Sequence, residues 1–288
     1  MKDWLKISIE LDPADYERVM EQISLWPNIT GIMETEPTPW IIKLEIYSED
    51  TNKTQILPLV ENIKKITGSV LIENIKYDPN NENEWKKHFK PQKIGERFVI
   101  RPSWEIYETK DNELVITIDP GSAFGTGLHE TTRSVLVLLE ELHKKDFNKV
   151  SNSELLDAGT GSGVLSIGAV MLGSKKVIAI DNDPEAIQVA NDNFKINKVN
   201  NIAKAILKGI ENEKGKYNII VANIISEVLM TNAEHIVSLL NHKGELILSG
   251  ILNKEEDKVL NKFISIKGIK LNKVLQMGEW SSIWLSFD

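Results

Sequence analysis

Apolar positions along this chain fall first in alternation and later in solid runs. Trp4 to Leu11 alternates polar and apolar residues, as a half-buried strand does. Asp12-Pro13-Ala14-Asp15 then opens a helix, with Pro13 suited to its first turn and Tyr16, Val19, Met20 and Ile23 on one face. Gly31 to Glu34 and Trp40 to Tyr47 read as strands separated by a proline-rich turn. A second helix covers about Thr54 to Thr67, and Val70 to Ile75 is the next strand. The order β-α-β-β-α-β is that of a ferredoxin-like domain. Asp78 to Glu84 is polar, turn-rich and without an apolar residue, which marks a linker. The expected organisation is a small α+β domain over 1–76, a linker over 77–95 and a larger domain over 96–288.

Beyond the linker, a short amphipathic piece runs from Trp85 to Pro91, followed by two strands, Arg97 to Arg101 and Leu114 to Asp119. Helices and strands then alternate, which predicts an α/β doubly wound sheet. The expected elements are helix 131–144, strand 154–157, helix 163–172, strand 176–181, helix 184–196, a short strand near 203–207 and strand 217–222. Helix 226–240, strand 244–249 and helix 254–263 follow. Two last strands, about 270–277 and 281–287, are separated only by Gly278-Glu279-Trp280. That is too short for a parallel crossover, so they form an antiparallel pair.

Composition narrows the class. The 288 residues are 41% hydrophobic and 26% charged, ordinary for a globular chain that can bury a core. Cysteine is absent, which excludes disulfides and cysteine-ligated zinc. His88, His129, His143, His235 and His242 are scattered without ligand spacing, so no metal site is expected. No export signal or membrane-spanning run is visible, and cytoplasmic localisation is the expectation. The net charge of −8 is uneven, with 13 Asp/Glu against 7 Lys/Arg in residues 1–75. An acidic face argues against binding a nucleic-acid backbone; it is compatible with a basic protein partner and equally with a plain solvated surface.

The densest chemistry lies between Leu155 and Asp183. An apolar strand runs into Asp157-Ala158-Gly159-Thr160-Gly161-Ser162-Gly163, a helix follows, and a second strand ends on Asp181. Glycines there reach backbone angles closed to other residues and let a nucleoside lie against bare main chain. Asp181, at the strand tip, can accept hydrogen bonds from both ribose hydroxyls. Dinucleotide enzymes usually carry Gly-x-Gly-x-x-Gly and bind a pyrophosphate. Here the spacing is Gly-x-Gly-x-Gly, and Asp157 would repel a pyrophosphate but suit a positively charged amino-acid group, directly or by ordering the loop. The pattern resembles the first motif of class I methyltransferases, which implies S-adenosyl-L-methionine as cofactor.

A second motif, Asp119 to Thr132, holds three glycines in seven residues and precedes an apolar-faced helix. A threonine hydroxyl and the backbone N–H groups at that helix start can hold a carboxylate; a capped helix after a structural turn is the plainer reading. Pro-Gly-x-Ala-Phe-Gly-Thr-Gly-x-His-x-Thr-Thr resembles the signature of the ribosomal protein L eleven methyltransferase (PrmA) family. Phe89 to Glu105, Val-Ala-Asn-Ile at 221–224 and Gly-Glu-Trp at 278–280 are similar as well. The resemblance covers the chain from about residue 85 onward, and over the N-terminal domain it is one of pattern only.

That resemblance implies a seven-stranded, Rossmann-like class I sheet with an antiparallel C-terminal hairpin, preceded by a ferredoxin-like substrate-recognition domain. It implies transfer of methyl groups to lysine ε-amines and an N-terminal α-amine of ribosomal protein L eleven, up to trimethylation. Position by position, cofactor contacts fall on Thr132, Gly159, Asp181 and Asn223; Gly161 joins them as part of the glycine turn, and Phe124 can cover the cofactor or anchor its loop. Asn223, at the end of the strand 217–222, is expected to orient the acceptor amine through its amide oxygen, or else to cap helix 226–240. His129 can take up the released proton or brace the loop. A monomer is expected. A methyltransferase of small molecules or nucleic acid, or a cofactor-sensing scaffold without turnover, are the alternatives. Asn223-Ile224-Ile225-Ser226 lacks the prolines and aromatic of a base-stacking motif, which disfavours nucleic acid.

Overall fold

The computed structural model describes residues 2–24, 29–35, 41–48, 53–68, 70–77, 90–119 and 129–288. Phe124, the glycine-rich loop 120–128, the proline-rich turn, the linker at Asp78 to Glu84 and nearly all of the amphipathic piece that follows lie outside the described residues. The chain divides into two units, Met1–His88 and Phe89–Asp288.

In the first unit, β1 (Lys2–Leu11) passes through a 3₁₀ turn at Pro13–Asp15 into α1 (Tyr16–Ser24). β2 (Ile29–Thr35), β3 (Ile42–Ser48), α2 (Lys53–Thr67) and β4 (Val70–Tyr77) follow. The strands form one antiparallel sheet in the order β2-β3-β1-β4. The period of two is visible in the packing: Leu5, Ile7, Ile9 and Leu11 are buried with Val19, Ile23, Val60 and Ile63.

The second unit begins with a three-stranded sheet of β5 (Gln92–Ile94), β6 (Phe98–Arg101) and β7 (Leu114–Thr117). β5 falls inside the stretch 77–95 expected as linker. It pairs antiparallel with β6, whereas β7 runs parallel to β6. α3 (Glu130–Lys145) and α4 (Phe147–Ser151) then lead into the main sheet.

That sheet is assembled from β8 (Glu154–Ala158), α5 (Val164–Met171), β9 (Lys176–Asp181), α6 (Pro184–Ile196), β10 (Ala203–Leu207) and β11 (Tyr217–Asn223). α7 (Ser226–Thr231), α8 (Ala233–Ser238), β12 (Leu240–Leu252), α9 (Glu256–Ile264), β13 (Ile269–Met277) and β14 (Trp280–Phe287) complete it. The strand order is β10-β9-β8-β11-β12-β14-β13, and β14 is the one strand of this sheet that runs against the other six. Apolar clusters fill both faces, one including α3 and α6 and the other α7, α8 and α9. Strands buried on both sides need continuous apolar runs such as Ile-Ile-Val-Ala at 219–222, which explains why the sequence loses its alternation here. Among the described residues, no helix is long and apolar enough to cross a membrane.

Two helical segments depart from expectation. Helix 226–240 is two helices, broken at Asn232, whose side-chain amide donates to the Val228 carbonyl (2.9 Å) and competes with the helical ladder. The second of them stops at Ser238, because the Leu239 carbonyl accepts from the Tyr217 N–H (2.9 Å). α4 was not expected; it is five residues long, too short to display a helical period, and is started by Asp146, which accepts from the Lys149 N–H (3.0 Å).

Candidate active site at the carboxyl edge of the sheet

The strand order reverses between β8 and β11, and the crevice at their carboxyl ends is where sheets of this kind bind ligands. β8 delivers the glycine turn to that crevice. Gly159, Gly161 and Gly163 have φ of +72°, +51° and +80°, the left-handed region in which a side chain is strained. Gly159 is constrained twice, because a Cβ there would lie 2.2 Å from Ile224 Cγ2. The turn is pinned by three hydrogen bonds. Gly159 and Thr160 N–H both donate to the Ile180 carbonyl (2.9 and 3.0 Å), and the buried Asn193 amide donates to the Ser162 carbonyl (2.8 Å).

Asp181 ends β9 at the same edge. Its Oδ2 accepts from the Gly161 N–H (2.9 Å) and its Oδ1 from the Asp183 N–H (3.0 Å). Each carboxylate oxygen keeps a further lone pair, so the group is aimed without being consumed. Asp183 is occupied differently: it N-caps α6 by accepting from the Glu185 N–H (2.8 Å).

Asp157 orders the loop from beneath. It is fully buried, and its Oδ2 accepts from Thr160 Oγ1 (2.8 Å), Ser166 Oγ (2.7 Å) and the Ser166 N–H (3.1 Å). Among the described residues, Oδ1 is buried without a hydrogen-bond partner. Burial pushes this carboxyl up to about 6, against the three donors that favour the charge, and the nearby Asp181 carboxylate adds to the rise. The folded value lies above the roughly 3.9 of an unfolded aspartate. The fold thus favours the protonated form, a contribution fully present below the unfolded value and lost as pH rises through about 6. Asp157→Asn keeps an acceptor oxygen but cannot ionise. Between pH 4 and pH 7 the stability difference is therefore expected to move in favour of the variant by about 1–3 kcal/mol. Urea unfolding of both proteins at the two pH values checks this; parallel pH dependences would show that Asp157 does not titrate there.

Asn223 ends β11. Its Nδ2 donates to Thr131 Oγ1 (3.2 Å) and lies 3.5 Å from Thr132 Oγ1, so the amide plane is set by the first turn of α3. It does not cap the following helix, whose N-cap is Ile225 without a side-chain bond. The start of α3 is a capped helix N-terminus. His129 is the cap, its Nδ1 accepting from the Thr131 N–H (3.3 Å) and lying 2.9 Å from Thr131 Oγ1. With Nδ1 as acceptor, Thr131 Oγ1 donates to it and accepts from Asn223, giving a chain from Asn223 through Thr131 to His129. Burial lowers the His129 pKa, opposed by Glu130, and its ring meets Trp280 edge-on at 5.2 Å. Thr131 and Thr132 are themselves buried.

The crevice thus brings together Gly159, Gly161, Asp181, Thr132 and Asn223, while Phe124 lies outside the described residues. Sequence reasoning missed Asn193 and Asn197. Asn197 exchanges two hydrogen bonds with the Thr117 backbone (2.7 and 2.8 Å), tying the end of β7 to α6. Their spacing of four on a helix, one of them on the buried face, was the available signal.

Comparison with known proteins resolves the family. Residues 4–287 match the family described as "Ribosomal protein L11 methyltransferase (PrmA)". The chain belongs to that family. A ribosomal protein L11 methyltransferase from Citrifermentans bemidjiense is 43% identical over 201 residues, which cover 70% of this chain and 65% of that protein. The chain therefore spans slightly under two thirds of that relative's length. One from Acetivibrio thermocellus is 36% identical over 248 residues, 83% of this chain and 76% of its own. The crystal structure of a ribosomal protein L11 methylase from Lactobacillus delbrueckii subsp. bulgaricus superimposes with a TM-score of 0.63 at 28% identity, over 69% of this chain and 99% of that one. The larger unit of this PrmA-family chain thus has an α/β methyltransferase fold built on a mixed sheet of seven strands.

Proposed function

We propose that the protein transfers methyl groups from S-adenosylmethionine to lysine ε-amines and the N-terminal α-amine of ribosomal protein L11. The family match over residues 4–287 carries this reading. The residues at the carboxyl edge fit the methyl donor. Asp181 keeps lone pairs for a ribose, the glycine turn leaves bare backbone, and the buried Asp157 carboxylate adds negative charge beneath a positively charged amino-acid group. S-adenosylmethionine supplies an already activated sulfonium methyl group.

What the chain must contribute is an aimed, neutral amine. A lysine of pKa ~10.4 loses its proton at pH 7 at a cost of about 4–5 kcal/mol. Apolar, water-poor surroundings reduce that cost by disfavouring the ammonium form. Asn223 is the residue for orientation. With Nδ2 committed to the α3 threonines, Oδ1 can accept from the amine N–H and leave the nitrogen lone pair directed at the methyl. The amine nitrogen gains the carbon, the electron pair of the broken C–S bond stays on sulfur, and the proton leaves the new ammonium. His129 holds its Nδ1 toward Thr131 and serves first to cap and brace the first turn of α3.

Residues 1–76 are read as a ferredoxin-like module that recognises the substrate protein; the order β2-β3-β1-β4 supports that assignment, and the acidic balance of residues 1–75 suits a basic partner. The protein is expected to act as a cytoplasmic monomer without a nucleic-acid partner. Incubation of the full chain with methyl-labelled S-adenosylmethionine and either free ribosomal protein L11, whole ribosomes or RNA tests the proposal. Label is expected on lysines and the amino terminus of L11, mapped by mass spectrometry. Label on RNA alone, or on nothing, defeats it.

A further inference from the structure

Three serines sit among apolar residues of the larger unit, and all are buried: Ser134 on α3, Ser249 on β12 and Ser282 on β14. Ser249 is the ladder neighbour of Asn223, in register on the adjacent strand. A bulge in β12 follows at once, between Leu248 and Ile251. Gly250 allows it, because a Cβ there would lie 2.5 Å from the Ile224 carbonyl oxygen.

Together with the Thr131 carbonyl the serines close a ring of four oxygens. Ser134 Oγ lies 2.9 Å from the carbonyl and 2.6 Å from Ser282 Oγ; Ser282 Oγ lies 2.6 Å from Ser249 Oγ; and Ser249 Oγ lies 3.2 Å from the carbonyl. Three hydroxyl protons serve these four contacts, so one contact has no hydrogen in it. Taking the longest as that one fixes the directions: Ser249 donates to Ser282, Ser282 to Ser134, and Ser134 to the Thr131 carbonyl.

We propose that Ser282, Ser249 and Ser134 are positioning residues for methyl transfer, a buried hydroxyl strut that holds the first turn of α3 against β12 and β14 and thereby places the Thr131 hydroxyl that orients Asn223. This rests on the reading of Asn223 given above. The strut adds a second link between the two sides of the crevice, beside the bond from Asn223 to Thr131. Among the described residues the Asn223 side chain hydrogen-bonds to the α3 threonines, and the Thr131 carbonyl is tied to the strand beside Asn223 through Ser134, Ser282 and Ser249. Ser282 is the hub, since its hydroxyl bridges the other two; its removal leaves two buried hydroxyls short of a partner.

The test uses the full chain. In Ser282→Ala, kcat at saturating S-adenosylmethionine and L11 is expected to fall roughly tenfold, because small displacements of an orienting group are costly. The dissociation constant of S-adenosylmethionine, by calorimetry, stays within about threefold, the signature of a lost orienting interaction and not of lost binding. Thr131→Val loses at least as much rate as Ser282→Ala, and Thr131→Ser recovers most of that loss by keeping the hydroxyl. Ser282→Cys, close in volume, replaces the alanine variant should that one fail to fold. In the protein without ligands, amide exchange at residues 131–135 is expected to quicken in Ser282→Ala. Unchanged exchange overturns the strut; quickened exchange with kcat intact overturns its positioning role. Because exchange is read without turnover, it stands apart from the functional reading, which fails instead if the wild-type chain transfers no methyl.

Discussion

Asp181→Ala is expected to weaken S-adenosylmethionine binding by about 100-fold or more, while Asp183→Ala leaves it within about threefold, although the two carboxylates are two residues apart. Each hydrogen bond to a charged group is worth about 1.5–3 kcal/mol, and every 1.4 kcal/mol is tenfold in affinity. Asp181 ends β9 with both oxygens turned by backbone N–H groups, so a ribose would find a carboxylate already in position. Its removal also strips the Gly161 N–H of its acceptor, which loosens the turn that the nucleoside would lie on. Asp183 spends its side chain on the N-terminus of α6, where replacement by alanine costs about 0.5–2 kcal/mol of folding stability and no ligand contact. Calorimetric titration of the two variants separates them. Equal losses would mean that the ribose is not held at the tip of β9.

Much of this architecture is legible from the chain because its signals are local. The apolar runs at 154–158, 176–181 and 217–223, the helices between them, and a two-residue turn between β13 and β14 need only short windows to be recognised. The glycine turn and Asp181 are legible for the same reason, since their chemistry is written within thirty residues. What escapes is encoded across the fold. Ser249 in Leu-Ile-Leu-Ser-Gly and Ser282 in Trp-Ser-Ser-Ile look like minor interruptions of strands until β14 slots between β12 and β13 and brings their hydroxyls together. His129 as the cap of α3 escapes for a related reason: serine, threonine, aspartate and asparagine lead at that position, and two threonines stand just inside the helix. The strand β5 has three residues, below the length at which alternation carries information.

The largest effect on turnover is expected at Asn223. Asn223→Ala should lower kcat by roughly 100-fold or more, since a reacting group displaced by about 1 Å can cost that much. The substitution removes the Oδ1 acceptor and, with Nδ2, the bond to Thr131 that fixes the amide. Cofactor affinity should change far less than in Asp181→Ala, because Asp181 and the glycine turn are left intact. Asn223→Asp supplies the sharper test. It keeps the shape and an acceptor but places a negative charge beside the amine, and an opposite charge favours the ammonium form. The pKa of the bound lysine would then rise, the neutral fraction at pH 7 would fall, and the rise of kcat with pH should shift to more alkaline values. A neutral amide at this position avoids that penalty, which is the physical reason for an asparagine where an aspartate would accept the same hydrogen bond. If Asn223→Ala keeps kcat within about threefold, or Asn223→Asp follows the wild-type pH profile, the amine is oriented by some other group.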